Sequence, residues 1–425
     1  MTTRSAASTH QWTKGSNSAE EAKILAGKGE LNLRVLGAAV SVVLQAGVTQ
    51  ELHAELRRAW SRCLDQTGES VHALSSSVAD SGAPDERPFR ATVSSTVGTA
   101  MVTGRTFREF ASDLTSAVTL AGITAGRGSL VMLHAAALAD EKTGRTVALV
   151  GRSGMGKTTA TRHLGAVLGY VTDETVAVDG SGIIVAYPKP LSLIVEEPTA
   201  PKHQISPDEL GLLVAPPAPT LALVVLLDRK PDADVPKVTP LSHGEAIIEL
   251  APHTSSLGEV RRPVSRLCGI LDATGGAVRV TYREAGDLAG VLPALLERLA
   301  IAKTWSTVLS EGTRQSEGRR RLHAPHLTVL KRADLLDAVE IPLPSGHGTE
   351  LIVMNSQGVV RLTGIGPAIW HALATPCDLN GIAERLAPHI GLPAGYESHL
   401  LSSVEELRAH GVLVDASPGE SVKNP

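Results

Sequence analysis

A glycine-rich turn between an apolar strand and a helix is the feature that most constrains this chain of 425 residues. Residues 151–158, G-R-S-G-M-G-K-T, match the pattern G-x-x-x-x-G-K-[ST] without a mismatch. The apolar run Arg145–Val150 predicts a strand before the turn, and a helix is predicted after it, to about Leu168. Glycines let the chain wrap with its N–H groups pointing inward, and the helix adds the positive end of its dipole. The segment therefore predicts an anion-binding loop in an α/β domain.

The pattern is that of a P-loop, or Walker A motif, and predicts a nucleotide site. Lys157 is expected to reach the β- and γ-phosphates, and the Thr158 hydroxyl is expected to bind Mg²⁺. The motif thus implies ATP and Mg²⁺ as cofactors, with a glycine-rich turn of purely structural role as the alternative. The predicted nucleotide-binding residues are Gly151, Arg152, Ser153, Gly154, Met155, Gly156, Lys157, Thr158 and Thr159.

Two acidic positions near predicted strand ends are candidates for the metal ligand and the catalytic base. Asp173 and Glu174 come shortly after the predicted P-loop helix, whereas Asp228 ends the apolar run 221–227, which is similar to a Walker B strand. A carboxylate at either position can hold Mg²⁺ directly or through a water. For Asp228 the alternative is a turn residue that only terminates its strand. Arg229 is a candidate phosphate contact, with a solvated surface arginine as the alternative.

Composition limits the class of protein. Apolar residues make up 43% of the chain and the formal net charge is −4, which fits globular cores and argues against a nucleic-acid binder. Three widely spaced cysteines cannot form a disulfide framework or a zinc knuckle, and they fit a reducing cytoplasm. The most apolar stretch, residues 210–227, contains three prolines, and the N-terminus has no apolar signal segment. A cytoplasmic protein without membrane contact is therefore expected.

Hydrophobic periodicity predicts the secondary elements. In the first part of the chain, predicted strands cover residues 33–43, 130–137 and 169–178, and predicted helices cover 51–64, 107–125 and 288–303. After Pro325, short strands precede predicted helices over 365–373, 379–387 and 396–410, with Gly411 where a helix cap is expected. Alternating strands and helices indicate an α/β domain, and the later pattern indicates a winged helix.

The chain is expected to divide into an ATP-binding domain and a smaller C-terminal domain. A polar stretch with an arginine run is the linker candidate between them. The predicted segments are a tail (1–30), the ATP-binding domain (31–305, with an N-terminal subregion 31–129 and a P-loop core 130–305), the linker (306–325), the C-terminal domain (326–415) and a second tail (416–425).

The central part of the chain resembles a known family. Leu133-His134, the P-loop and V-T-D-E-T-V-A-V over residues 171–178 are similar to the HPr kinase/phosphorylase family, a branch of the PEP-carboxykinase-like fold. These proteins share a histidine shortly before the P-loop strand and an acidic pair after the P-loop helix. The similarity covers residues 130–192. It implies an α/β (α+β) P-loop kinase-like domain of the HPr kinase/PEP-carboxykinase type.

The same resemblance implies a catalytic site. His134, Lys157 and the acidic pair are expected to surround the transferred phosphoryl group. The family's pair is usually Asp-Asp, and its second member accepts the proton of the acceptor hydroxyl. Here the pair is Asp173-Glu174, and the extra methylene of glutamate moves its carboxylate by about an ångström. Which carboxylate acts, and whether phosphoryl transfer is retained, stay open at this point.

The C-terminal part resembles the PqqD family. The resemblance is carried by residues 358–370, which contain Trp370, and by the two apolar helix patterns that follow. PqqD-like domains, or RiPP recognition elements, recognise ribosomally made peptides by adding an extended leader segment as a strand beside a helix groove. The resemblance implies a precursor or leader peptide as the partner of residues 326–415. A winged helix that binds DNA is the alternative, which the few basic residues of its third helix disfavour.

The two resemblances together predict an ATP- and Mg²⁺-dependent kinase in peptide natural-product biosynthesis. Its acceptor would be a Ser or Thr hydroxyl of a peptide held by the C-terminal domain. One alternative is a non-catalytic ATP-binding switch, or peptide chaperone, that presents the peptide to partner biosynthetic enzymes. Another is a small-molecule kinase. The sequence is silent on oligomeric state, although relatives of the central fold often assemble, which leaves a homo-oligomer open.

Overall fold

The computed structural model of the chain describes residues 29–45, 47–65, 87–194, 200–309, 329–343 and 346–416, which form a mixed α/β protein. It divides into two compact units, residues 1–239 with 279–298, and residues 240–278 with 299–425. None of the helices within the described ranges combines the length and the apolar character that crossing a bilayer needs. The predicted tails and most of the predicted linker lie outside the described residues.

Helices and strands are interspersed along the described residues. In chain order, the α-helices are α1 (Gln50–Ala59), α2 (Phe107–Gly126), α3 (Lys157–Leu164), α4 (His243–Leu250), α5 (Pro263–Ala273), α6 (Leu292–Leu296), α7 (Gly366–Ala372), α8 (Leu379–Ile390) and α9 (Tyr396–Ala409). The strands are β1 (Glu30–Val35), β2 (Ala38–Leu44), β3 (Phe89–Ser95), β4 (Gly98–Gly104), β5 (Val131–Ala139), β6 (Arg145–Val150), β7 (Gly169–Thr172), β8 (Thr175–Val178), β9 (Ile184–Val185), β10 (Leu191–Leu193), β11 (His203–Ile205), β12 (Thr220–Arg229), β13 (Lys237–Pro240), β14 (Thr254–Ser255), β15 (Ala277–Tyr282), β16 (Ser306–Thr307), β17 (Leu330–Arg332), β18 (Asp337–Pro342), β19 (Thr349–Asn355), β20 (Gly358–Leu362) and β21 (Leu413–Asp415).

The first unit begins with an antiparallel sheet of β1 to β4 in sequence order. α2 packs on this sheet and buries Phe110, Leu114 and Val118, whose spacing of four residues puts them on one helix face. The strands predicted over residues 33–43 and the helix predicted over residues 107–125 are confirmed. This sheet, α1 and α2 share one hydrophobic core, which also includes Met132 of β5, Ala177 of β8 and Tyr187.

A larger sheet carries the P-loop. Its strand order is β13-β15-β12-β6-β5-β8-β9, and β7 also pairs with β5. β12 and β6 run parallel, in a register that pairs Leu226 with Val150. Their carboxyl ends therefore meet at one edge of the sheet, where Gly151 follows β6 and Asp228 lies near the end of β12. Residues 221–227 are buried throughout, as expected for an inner strand of a covered sheet.

Two elements of this unit differ from those predicted by the hydrophobic periodicity of the sequence: the P-loop helix is shorter, and one strand is divided in two. The P-loop helix ends at Leu164 rather than near Leu168. Gly165 is the C-cap residue, and a Cβ there would lie 2.9 Å from Leu212 and 2.6 Å from the Thr161 carbonyl oxygen, so the chain packs too closely for a side chain at this position. The predicted strand 169–178 is two strands, β7 and β8, separated by the acidic pair.

The helix predicted over residues 288–303 is wrong. A 3₁₀ turn covers Ala285–Gly290, α6 covers five residues, and residues 297–303 are not helical. The last third of the predicted helix contains the apolar residues Leu299 and Ile301. Both side chains are exposed, Leu299 by 79%. Since short helices are stable mainly through packing of an apolar face, this part of the chain has too little buried surface to remain helical.

The second unit contains a sheet in the order β16-β18-β19-β20, a β17–β21 pair, and the helices α7 to α9. The predicted strands 339–343, 351–355 and 359–362 and the three helices after Pro325 are confirmed, with Gly411 in the left-handed conformation after α9. The first predicted strand, 327–330, begins outside the described residues, and β17 covers Leu330–Arg332. Trp370, Ile369 and Ile382 are buried at the centre of this core. The C-terminal segment is thus strand-rich first and helical afterwards.

Residues 240–278, which were predicted to be part of the ATP-binding domain, group with this second unit. α5 packs on β18 and β19, where the Ser265 amide donates a 2.7 Å hydrogen bond to the buried Asp337 carboxylate. α4 packs near β20. β16, within the predicted linker, pairs with β18. The C-terminal unit is therefore built from segments on both sides of residues 279–298.

The buried Glu350, paired with the partly exposed Arg361, lies close to α4. Glu350 is 2% exposed and lies 2.6 Å from Arg361, and a Cβ added at Gly244 of α4 would lie 2.1 Å from Glu350 Oε1. We expect Gly244→Ala to lower the free energy of unfolding by about 3 kcal/mol, since it displaces a buried charge. Urea unfolding of the full chain measures this change.

The matched control is Gly269→Ala in α5, where an added Cβ meets nothing within 4 Å. Alanine should stabilise that helix by up to about 1 kcal/mol. Equal effects of the two alanines would contradict the packing described for α4.

Candidate functional site

The P-loop connects β6 to α3 and forms an open cup. Gly154 and Gly156 have φ values of +86° and +83°, a conformation that residues with a side chain rarely adopt. Residues 152–154 are exposed, and a Cβ at Gly154 would meet nothing within 4 Å. A glycine-lined turn that opens to solvent at a helix N-terminus is the arrangement that binds phosphate.

Neighbouring strands hold the loop in place. A Cβ at Gly151 would lie 3.2 Å from the Cβ atoms of both Leu227 and Met155, so the loop passes close to β12. The Tyr282 hydroxyl, from β15, donates a hydrogen bond to the Met155 carbonyl. Because β6, β12 and β15 are adjacent in the sheet, three strands together support the cup.

Lys157 begins α3 and is 8% exposed. Its Nζ donates a 2.5 Å hydrogen bond to the Gly151 carbonyl, which folds the side chain back over the loop. Burial lowers the pKa of Lys157, and the charges of Asp173 and Glu174 act against that shift. The ammonium group therefore lies at the loop and within electrostatic reach of the acidic pair.

The acidic pair occupies the break between β7 and β8. Asp173 is 6% exposed, and the Glu174 side chain is 35% exposed. Lys189 lies between them, with Nζ 2.9 Å from Asp173 Oδ1 and 3.1 Å from Glu174 Oε2. The Tyr170 hydroxyl lies 3.2 Å from Asp173 Oδ1 and 3.0 Å from the Lys189 carbonyl. One lysine thus pairs with both candidate carboxylates.

Charges in this cluster shift the pKa values of its members. Burial acts to lower the pKa of Lys189, but Asp173 and Glu174 outweigh it and raise that pKa above its ordinary value. Burial acts to raise the pKa of Glu174, but Lys189, with smaller contributions from His134 and Lys202, lowers it. Both groups are therefore held in their charged forms at neutral pH.

His134 lies beside the pair, on the neighbouring strand. In the β5–β8 register it is opposite Thr175, and the Ala135 amide donates a 3.0 Å hydrogen bond to the Glu174 carbonyl. Its side chain is exposed. The structure thus brings the four predicted catalytic residues, His134, Lys157, Asp173 and Glu174, into one cluster.

Asp228 lies at the same sheet edge but has its own partners. The Thr281 hydroxyl donates a 2.9 Å hydrogen bond to Asp228 Oδ2, and Lys230 Nζ is 3.4 Å from the same oxygen. Arg229 forms an exposed ion pair with Glu284 at 3.1 Å. The carboxylate of Asp228 is therefore hydrogen-bonded towards β15.

Potential metal ligands are spread over three elements. Thr158 is half-buried in the first turn of α3, Asp173 follows β7, and Asp228 is on β12. Within the described ranges no group of three or more His, Cys, Asp or Glu side chains is arranged to hold a metal ion by itself. A hydroxyl and separate carboxylates fit a Mg²⁺ ion that enters with phosphate oxygens, because such an ion takes few protein ligands.

Two lysines of the cluster were not predicted from the sequence. Lys189 stands between two prolines, in a segment noted only for its resemblance, and Lys202 precedes β11. The sequence signal for Lys189 is its position as a charged residue between two prolines, close to predicted apolar strands. Its partners are remote in sequence, so that signal does not reveal the ion pairs.

Comparison with known proteins assigns no family to the chain. No protein-family model matches its sequence, and a search of curated proteins finds no similar sequence. A function therefore has to be inferred from the geometry of the residues and from the motifs themselves.

The ion pairs of Lys189 predict a pH window for stability. The lowered pKa of Glu174 stabilises the fold above about pH 4, and this contribution is lost as pH falls through that lowered pKa. The raised pKa of Lys189 stabilises it below about pH 10, and this is lost as pH rises through the raised pKa. Because Glu174 is about one-third exposed, solvent screening reduces the effect of Glu174→Gln to about 1 kcal/mol.

Chemical unfolding at a series of pH values measures this window. The stability difference between the natural protein and Glu174→Gln should be largest near neutral pH and should vanish in acid. Glu141→Gln, at an exposed position, is the control and should give no pH-dependent difference. A difference for Glu174→Gln that is constant from acid to neutral pH would contradict the assigned ion pair.

Proposed function

We propose that the chain is an ATP- and Mg²⁺-dependent phosphotransferase whose acceptor is a Ser or Thr hydroxyl of a ribosomally made peptide. The observation that carries the proposal is the cluster of Lys157, at the P-loop, with the acidic pair and His134. A phosphate cup next to ionised carboxylates is the combination that phosphoryl transfer to a hydroxyl requires. The resemblance to the HPr kinase/phosphorylase family supports the same fold and reaction class.

The P-loop residues would bind the triphosphate. The exposed amides of residues 152–154 and the α3 N-terminus would donate to phosphate oxygens, and Lys157 would exchange its bond with Gly151 for one with phosphate. A charge-assisted hydrogen bond of this kind contributes about 1.5–3 kcal/mol. The loop amides are held in place before binding, so they would stabilise charge that develops on the phosphoryl group without reorganising.

Thr158 and Asp173 would hold the Mg²⁺ ion, with Asp228 as a further candidate ligand. When bound, the ion supplies positive charge that neutralises the phosphate oxygens during transfer. Among the described residues, the hydrogen bonds to Asp173 all go to Oδ1, so Oδ2 stays available as a ligand atom.

Glu174 is the proposed general base. The acceptor hydroxyl must come within about 2.6–3.2 Å of the base, and the Glu174 side chain is 35% exposed whereas Asp173 is buried. Its lowered pKa keeps Glu174 ionised and able to take a proton. A positioned base contributes about 10²–10⁴-fold to the rate.

The C-terminal unit would recruit the peptide as a PqqD-like, winged-helix domain. β20 is at the end of the order β16-β18-β19-β20, so one of its edges has no strand partner among the described residues. An extended peptide can add to such an edge, with main-chain hydrogen bonds for affinity and side-chain pockets for specificity. Tethering raises the local concentration of the acceptor to the order of millimolar.

A non-catalytic ATP-binding switch is the second candidate. One observation favours it, because Lys189 pairs with both carboxylates and the second acidic residue is Glu in place of the family's Asp. In that case the peptide would be presented to partner enzymes without being phosphorylated.

The test is to incubate the full chain with Mg²⁺, γ-labelled ATP and synthetic precursor peptides encoded near its gene. Label on a peptide, reduced by an excess of unlabelled leader segment, supports the kinase. ATP binding without transfer to any of these peptides supports the switch. Label that moves to a small molecule without peptide supports a small-molecule kinase.

A further inference from the structure

Lys189 is the buried charged group whose role the sequence does not explain. We propose that Lys189 is a positioning residue of the phosphoryl-transfer site, an inference that rests on the proposed function. By bridging Asp173 and Glu174 it determines which oxygen atom of each carboxylate is left for the metal and for the acceptor.

All three protons of the ammonium group are used. Nζ donates to Asp173 Oδ1 at 2.9 Å, to Glu174 Oε2 at 3.1 Å and to the Pro190 carbonyl at 3.0 Å. Lys189 is 1% exposed. A saturated and buried ammonium has no donor left for phosphate, so its action is through the carboxylates.

The lysine is itself anchored on both sides. It lies between Pro188 and Pro190, whose rings fix the backbone φ angle, and its amide donates a 2.8 Å hydrogen bond to the Tyr187 carbonyl. The fully buried Tyr187 has its hydroxyl 2.9 Å from the Thr119 hydroxyl on α2. The ammonium is therefore attached to a rigid backbone segment. Through its ion pairs it holds the Asp173 and Glu174 carboxylates in fixed positions.

Each carboxylate is then left with one defined oxygen. Within the described residues, Asp173 Oδ2 and Glu174 Oε1 accept none of the hydrogen bonds that hold Oδ1 and Oε2. Other charged and titratable groups also face the cluster. They are Lys157, Lys202, His134, Tyr170, Tyr187 and Cys63.

The ammonium also occupies the place between two neighbouring carboxylates where a divalent cation would otherwise bind. Removing it leaves two like charges side by side, which increases the attraction for a cation. This consequence separates a positioning role from mere packing, since a lysine that only filled space would leave cation affinity unchanged.

The test compares Lys189→Met, Lys189→Arg and the exposed control Lys142→Met in the full chain. With Mg-ATP and the synthetic precursor peptides as acceptors, we expect kcat for ADP formation by Lys189→Met to fall about 100-fold, because misplacement by about 1 Å has that effect on rate. KM for ATP should change less than about threefold. Mn²⁺ titration of the nucleotide-free protein, followed by electron paramagnetic resonance, should give about tenfold tighter binding. Lys189→Arg keeps the charge, so Mn²⁺ affinity should stay unchanged while kcat falls about tenfold.

Wild-type kcat together with wild-type Mn²⁺ affinity in Lys189→Met would overturn the inference. If Lys189→Met does not fold, Lys189→Arg decides, because kcat equal to that of the natural protein would exclude a positional requirement. If the natural protein forms no ADP, the proposed function fails, and the Mn²⁺ titration alone still decides whether Lys189 holds the cation position between the carboxylates.

Discussion

Lys157→Ala should weaken binding of Mg-ATP by about 100-fold or more. The substitution removes the buried ammonium at the P-loop, and charge-assisted bonds to two phosphates contribute at least about 2.7 kcal/mol together. The free energy of unfolding should change little. Lys157 makes one main-chain hydrogen bond, and burial of its ammonium disfavours the charged form, so its removal costs the fold little. Isothermal titration of ATP in the presence of Mg²⁺ measures the change in affinity.

The matched control is Lys142→Ala, which removes an exposed lysine from the turn between β5 and β6. Its Mg-ATP affinity should equal that of the natural protein. A Lys157→Ala protein that is folded and binds Mg-ATP within about threefold of the natural affinity would exclude the P-loop as the nucleotide site.

Glu174→Gln should reduce phosphoryl transfer by about 10²–10⁴-fold while Mg-ATP affinity changes only a few-fold. Glutamine keeps the shape of the side chain but cannot accept the acceptor proton, and the loss of a positioned base has this magnitude. Asp173→Asn should reduce transfer too, and should also weaken binding of the metal–nucleotide complex, because it removes a candidate ligand charge. Rates and affinities measured on both variants separate the two roles.

The converse pattern would reassign the base. If Asp173→Asn abolishes phosphoryl transfer and Glu174→Gln keeps it, Asp173 is the general base and Glu174 is not. Unchanged transfer in both variants would remove the mechanism altogether. Glu141→Gln, at an exposed position, is the control for loss of a negative charge without loss of a site.

The elements around the P-loop could be predicted because their signals are local. The motif itself requires a strand before Gly151 and a helix after it, and both are present. The helices α7 to α9 likewise carry an apolar face within their own residues, including Trp370 and Leu400. Sequence periodicity is sufficient where an element buries its own apolar face.

Elements that depend on remote partners could not be predicted. α4 and α5 were missed, although the Ser242–Glu245 capping box before α4 is a local signal for a helix start. Their membership in the C-terminal unit depends on contacts of Gly244 and Ser265 with β18 and β19, far away in sequence. The helix expected over residues 288–303 stops short for the opposite reason, since its later apolar residues Leu299 and Ile301 are exposed.

The candidate site shows the same division. The motif and the resemblance placed Lys157, the acidic pair and His134 near one another from the sequence alone. Lys189 was missed because its role comes from ion pairs that form only when the segment around Pro188 comes next to the acidic pair between β7 and β8. A buried lysine has no signature in sequence when its counter-charges lie on another strand.

Amide hydrogen exchange of residues 151–159, with and without Mg-ATP, tests the nucleotide site most directly. Residues 152–154 are exposed, so their amides should exchange fast in the absence of nucleotide. We predict that Mg-ATP slows exchange across this segment by at least about tenfold, while the exposed turn around Lys142 is unaffected. Unchanged exchange at residues 151–159 under saturating Mg-ATP would contradict the account.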